Sequence, residues 1–177
     1  MGVRLGQHLD QVYRTSLENS GKYAMTEANR KAPEIRLPAD DGTEFVLSDH
    51  LGERILLVFY PGDNTPVCTR QLCEYRDGIE SFAELGVTVV GISSDGLESH
   101  RKFRQKHQLP FVLLSDEDLE IADRYGCKGL LGMKRAVFLV DEAGIIRYAH
   151  VEALALFKRS ASELLAVIAE LDKAGER

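Results

Sequence analysis

A chain of 177 residues, 44% apolar and 28% charged, is long enough to bury a substantial core as one domain. Its formal net charge of -6 argues against a phosphate-binding surface, because non-specific nucleic-acid affinity comes from clustered Lys and Arg. No stretch approaches the roughly 20 apolar residues that cross a bilayer, and the N-terminus lacks the apolar centre of a secretory signal, so a soluble, cytoplasmic protein with no membrane or nucleic-acid partner is expected.

Residues 6–28 carry scattered apolar positions (Leu9, Val12, Tyr13, Leu17, Tyr23), which read as a weak amphipathic helix or a mobile arm. Pro33 disfavours helix at the residue before it. Two extended segments, Glu34–Leu37 and Thr43–Leu47, flank the turn "PADDG" and predict an N-terminal β-hairpin. "SDHLGE" reads as one helical turn capped by Ser48. Ile55–Tyr60 is apolar throughout, as a strand covered on both faces should be. Leu72, Tyr75, Ile79, Phe82 and Leu85 then recur at helical spacing across residues 67–85.

Val87–Ser93 is a second buried strand, "ESHRKFRQKHQL" a charged surface helix, and "FVLLSD" a short third strand. A short helix follows and stops at Tyr125-Gly126. "AVFLVD" and "IIRYAHV" are strands separated by the hairpin signal "DEAG". Residues 160–173 form the last helix, with Ser160 and Glu163 spaced as a capping box. This order predicts an α/β fold: a parallel core, antiparallel strands added by the late hairpin, and helices over both faces.

The stretch "FYPGDNTPVCTRQLCEY", residues 59–75, carries the chemistry. It places Cys68 and Cys73 just past a buried strand and a run of turn formers. A metal site, a thiol-redox site and a pair of ordinary core cysteines are the readings open to it. Three cysteines, an odd number, do not suggest a secreted disulfide framework. On one unbroken helix, five residues separate the two by about 7.5 Å of rise and about 140° of rotation. A disulfide needs Cα atoms within about 7 Å. The pair therefore bridges only if the first turns unwind.

Cys68 is expected in the first turn of a helix starting near Thr65–Val67, where free N–H groups and the helix dipole favour an anion. The thiolate is the attacking form of cysteine. Thr65, three residues earlier, is placed to aim its hydroxyl at the same spot, and Pro61 and Pro66 brace the turn.

Here the sequence resembles a known family. "P-x-x-x-T-x-x-C", as Pro61, Thr65 and Cys68, is similar to the active-site signature of the peroxiredoxins. The longer string "YPGDNTPVCTRQLCEYRD" resembles their bacterioferritin-comigratory-protein branch, also called peroxiredoxin Q. "KAPEIRLPADDG", "VVGISSDGLESHRKF", "LPFVLLSDEDLEIADRYGC" and "RAVFLVDEAGIIRY" follow the family order from about residue 31 to the C-terminus. The resemblance implies a thioredoxin-like fold with a central mixed sheet, and a thiol peroxidase that reduces hydrogen peroxide and organic hydroperoxides without a cofactor or metal.

It implies, further, that Cys68 is the peroxidatic cysteine, oxidised to a sulfenic acid. Cys73 is the implied resolving cysteine, closing an intramolecular Cys68–Cys73 disulfide that thioredoxin or a similar dithiol reduces. Arg135, directly before "AVFLVD", matches the arginine that holds the thiolate and the peroxide oxygens. Gln71 and Val137 depart from the family pattern, which often has Glu and Thr there, and put secondary contacts in doubt. Residues 1–30 stand as an N-terminal extension to a domain spanning 31–177, with Met25 as an alternative start.

Two other classes compete with the peroxidase: a peroxide-sensing switch or binding protein without efficient turnover, and a disulfide reductase, against which CxxxxC in place of CxxC counts. Cys127 is read as structural, although its place in the loop leading to Arg135 leaves a position near the site open. His8, His50, His100, His107 and His150 lie among charged or loop residues and read as solvated. An intramolecular partner removes the need for a dimer, so a monomer is expected.

Overall fold

The computed structural model describes residues 28–152 and 158–175. The arm expected over residues 6–28 and the alternative start at Met25 lie outside the described residues, residue 28 excepted. From Asn29 the chain is tied to the body of the protein. The Asn29 N–H donates to the Ile146 carbonyl at 2.6 Å, and the Ile146 N–H donates to the Arg30 carbonyl at 2.8 Å.

The N-terminal hairpin pairs β1 (Arg36–Pro38) with β2 (Glu44–Val46) in antiparallel register. Its turn closes where Asp41 accepts from the Thr43 N–H at 2.9 Å and from the Thr43 hydroxyl at 2.7 Å. Gly42 takes a φ of +92° there, a value that side chains resist. The helical turn that follows, Leu47–His50, is a 3₁₀ turn. Val46, not Ser48, stands at its N-cap, and no side chain caps it. The Ser48 N–H donates instead to Glu34 Oε1 at 3.1 Å, a distant carboxylate doing what a local cap would do.

Five strands form the main sheet: β3 (Arg54–Phe59), β4 (Val87–Ser93), β5 (Leu113–Ser115), β8 (Ala136–Val140) and β9 (Ile146–Val151), in the order β5-β4-β3-β8-β9. β3–β4 and β4–β5 are parallel, while β3–β8 and β8–β9 are antiparallel. The mixed sheet is the one expected from the crossovers and the late hairpin. Between β5 and β8 the chain makes a small hairpin, β6 (Lys128–Gly129) with β7 (Gly132–Met133), which the sequence pattern did not signal.

The helices are α1 (Pro66–Asp77), α2 (Ile79–Glu84), α3 (Leu97–His107), α4 (Glu120–Arg124) and α5 (Ala161–Gly175). β3 is apolar throughout because each face of the sheet has its own core. Ile55, Leu57 and Phe59 pack with Ile121 and Ala122 of α4 and with Leu37 and Phe45 of the hairpin. Leu56, Val58 and Tyr60 pack with Cys68 and Leu72 of α1, Phe103 of α3 and Ile168 of α5. The single helix read across residues 67–85 is broken at Gly78, where φ is -94° and ψ 6°. A Cβ on Gly78 would lie 3.4 Å from that of Ala161, so the break sits where α5 approaches closely.

At the start of α5 the capping box forms as the spacing indicates. The Ser160 N–H donates to Glu163 Oε2 at 2.8 Å, and the Glu163 N–H donates back to Ser160 Oγ at 3.3 Å. Among the described residues no helix is long and apolar enough to cross a membrane.

Candidate active site

At the end of β3 the chain turns through Pro61–Asn64 into α1. Pro61 is half-buried at the head of this turn, and Asn64 adopts a φ of +59°, a conformation Asn tolerates better than most side chains. Thr65 is the N-cap of α1 and Pro66 its first residue, a position whose N–H has no helical partner to lose. Cys68 is then the third helical residue. Its N–H donates to Thr65 Oγ1 at 3.3 Å, while that hydroxyl donates to the Gly62 carbonyl at 3.4 Å. The Thr65 hydroxyl is therefore engaged in holding the helix start.

The Cys68 side chain is fully buried. Arg135, which precedes β8, reaches it across the core: Nη2 donates to Cys68 Sγ at 3.3 Å. The arginine is itself only 2% exposed. Its Nη1 donates to Gln71 Oε1, so one guanidinium holds two side chains a helical turn apart. Gln71 in turn donates to Tyr75 Oη at 2.9 Å, and Tyr75 donates to the Arg159 carbonyl at 2.6 Å. Burial pushes the Tyr75 phenol well above its ordinary range, so it stays a neutral donor. Val137, the other departure from the family pattern, is buried in the same apolar cluster as Cys68.

Gln71 thus does more than its reading as a secondary position implied: it lies inside the arginine's hydrogen-bond network. The signal was its place three residues after Cys68, on the same helical face.

Cys73 sits half-buried in the next turn of α1, and all three cysteines are free thiols. Its Sγ lies 3.9 Å from Nδ1 of His107, the last residue of α3. With α1 unbroken from Pro66 to Asp77, the two thiols occupy the arrangement in which they do not bridge. Cys127 is buried in the core on the opposite face of the sheet. Burial, and to a lesser degree the charge of Asp116, pushes its thiol far above the ordinary range. It packs as a core side chain, and its place across the sheet removes any three-cysteine metal site.

The solvated reading of the histidines needs correcting. His100 is fully buried. Its Nδ1 lies 2.9 Å from Asp63 Oδ2 and its Nε2 3.2 Å from the Leu114 carbonyl. Asp63, in the turn before α1, also accepts from the Tyr60 hydroxyl at 2.8 Å and the Ser99 hydroxyl at 2.7 Å. Its own N–H donates to Asp95 Oδ2 at 2.8 Å. The turn that carries the cysteine is thereby bolted to α3 and to the end of β4. His50 stacks on Phe45, and His150 meets Glu152 at 2.9 Å; His8 lies outside the described residues. The missed signal was positional, since His100, Phe103 and His107 recur at i, i+3 and i+7 on the face of α3 that packs inward.

Residues 28–149 match the AhpC/TSA family. Peroxiredoxin Bcp of Bacillus subtilis is 42% identical over 126 residues, 67% of this chain and 80% of its own length. The chain belongs to the AhpC/TSA family. It is a peroxiredoxin of the bacterioferritin-comigratory-protein and peroxiredoxin Q branch, with a thioredoxin-like fold, and hence a peroxidase of the oxidoreductase class. Among solved structures, peroxidoxin BcpB of Mycobacterium tuberculosis superposes with a TM-score of 0.75 at 30% identity, covering 82% of this chain and 97% of its own. The bacterioferritin comigratory protein of Xanthomonas campestris, described for its alkyl peroxide reduction activity, gives 0.71 at 25% identity over 86% and 99%. This kinship favours the peroxidase over the switch and over the disulfide reductase.

Proposed function

We propose that Cys68 is the peroxidatic cysteine and Cys73 its resolving partner, in a peroxiredoxin that reduces hydrogen peroxide and organic hydroperoxides. The observation that carries the assignment is the Arg135 guanidinium 3.3 Å from a buried sulfur at a helix N-terminus. A cation beside a helix N-terminus favours negative charge at that spot. The Cys68 thiolate attacks the terminal peroxide oxygen, an S–O bond forms as the O–O bond breaks, and the other oxygen leaves as water or alcohol. Arg135 steadies the charge moving onto the departing oxygen. Thr65 and Pro61 hold the turn that presents the sulfur.

The Cys73 thiol then displaces hydroxide from the sulfenic acid, giving a disulfide and water. For this the first turns of α1 must open, releasing the Thr65 cap and the Arg135 bonds. The last turn has anchors of its own, Tyr75 to the Arg159 carbonyl and Arg76 Nη1 to the His107 carbonyl at 2.7 Å. Thioredoxin or a similar dithiol returns the disulfide to two thiols by exchange. Since both cysteines are in one chain, a monomer suffices. The alkyl peroxide activity described for the Xanthomonas protein supports the wider substrate range.

The test is thioredoxin-coupled peroxide consumption by wild type, Cys68→Ser and Cys73→Ser. Cys68→Ser is expected to lose all turnover, and Cys73→Ser to consume one equivalent and stop. Sustained turnover by Cys68→Ser would overturn the assignment.

A further inference from the structure

The family signature places two cysteines, a threonine and an arginine, but says nothing of what takes the proton from the resolving thiol. We infer that His107 is that base, drawing the Cys73 proton to Nδ1 so that a thiolate attacks the oxidised Cys68. The inference rests on Cys73 being the resolving cysteine. His107 Nδ1 lies 3.9 Å from Cys73 Sγ, within hydrogen-bond range for sulfur, and no other ring nitrogen among the described residues is recorded beside this thiol.

The setting fits the role. His107 closes α3, and its ring is held edge-on against Phe103 with centroids 4.8 Å apart. Its backbone carbonyl is gripped by Arg76, which pairs with Asp77 at 2.8 Å. Arg76 extends from α1, the helix that carries Cys73, so the bond ties the base to the turn beyond the thiol. Burial comes first in lowering the imidazole's affinity for a proton, followed by the charges of Lys106 on its own helix and Arg76 on α1. The ring is accordingly neutral at pH 7 and able to accept.

The step balances. The Cys73 S–H bond breaks and the proton moves to Nδ1. The Cys73 thiolate forms the S–S bond to the Cys68 sulfur, whose S–O bond breaks. The leaving hydroxide takes the proton from the imidazolium and departs as water. Cys73 is oxidised and the sulfenic sulfur reduced, both to the disulfide level, with no further reagent.

Rapid mixing of reduced wild type and His107→Gln with one equivalent of hydrogen peroxide, quenched and read by intact mass, separates sulfenic acid formation from disulfide closure. In His107→Gln, closure relative to Cys68 oxidation is expected to slow by about 100-fold, the low end of what general base catalysis supplies. Wild-type closure is expected to fall on an acid limb below the ordinary imidazole value of about 6.5, and the variant to lack that limb. In a Cys68→Ser background, alkylation of Cys73 by iodoacetamide near neutral pH should slow when His107 is also replaced, a readout independent of disulfide closure.

Equal closure rates with the same pH profile, or alkylation indifferent to His107, would overturn the inference alone. A wild type that forms no disulfide would overturn the resolving role of Cys73 and this inference with it.

Discussion

Arg135→Met is expected to slow the reaction of Cys68 with hydrogen peroxide by about 10²–10³-fold, the usual effect of removing one preorganised donor from a charge-developing site. Arg135 is 2% exposed and donates to both Cys68 Sγ and Gln71 Oε1. In a site this dry, solvent is poorly placed to substitute for it. Arg135→Lys keeps the charge but loses the planar fork that spans two acceptors, so it should recover only part of the rate. Rapid-quench measurement of the single oxidation step, with denaturant midpoints run in parallel, separates this role from a structural one. A variant that loses stability but oxidises at the wild-type rate would make Arg135 a packing residue.

A second large effect is expected from Asp63→Asn. The Asp63 side chain is 1% exposed and that of His100 fully buried, and leaving a buried hydrogen-bonding group without its partner costs about 1–3 kcal/mol, here for several groups at once. Burial alone would raise the Asp63 carboxyl, but the bond and charge of His100, with the Ser99 and Tyr60 hydroxyls, outweigh it and hold the group below its ordinary range. The sign follows. A carboxyl lowered in the folded state adds stability in full above its unfolded value of about 3.9, and that stability fades as pH falls through the folded value. Denaturant midpoints should therefore differ most between wild type and variant near neutral pH, with the gap closing below about pH 4. A gap that stayed constant through pH 3 would show that the carboxylate charge is not what the network supplies.

Local patterns carried most of the fold. Ile55–Tyr60 reads as a two-sided strand because every residue is apolar, and the two cores on either side of β3 account for that. Ser160 and Glu163 form the capping box their spacing announces. What escaped notice depended on distant partners. Ser48 failed as a cap because Glu34, far away in the chain, takes its N–H. Gly78 breaks a helix that its apolar spacing supports, at a point where α5 packs close. His100 sits in a segment dense with charge, and only the fold reveals that Asp63 and the Leu114 carbonyl surround it.

The site was legible to a similar depth. Pro61, Thr65, Cys68 and Cys73 stand in one short string, and Arg135 was found through resemblance to a family whose membership the comparisons establish. Gln71 joins the Cys68 site through Arg135, and His107 reaches Cys73 through a tertiary contact. Sequence distance hides the second of these in particular, since His107 lies on another helix.

The central claim is that two thiols held apart by an intact helix are brought together by its opening. Treating the reduced protein with one equivalent of hydrogen peroxide, digesting it without reductant and mapping the disulfide tests that directly. A peptide joining Cys68 to Cys73 within one chain is the expected product, with Cys127 recovered as a free thiol. A bridge to Cys127, or one between chains with Cys73 still reduced, would contradict the account.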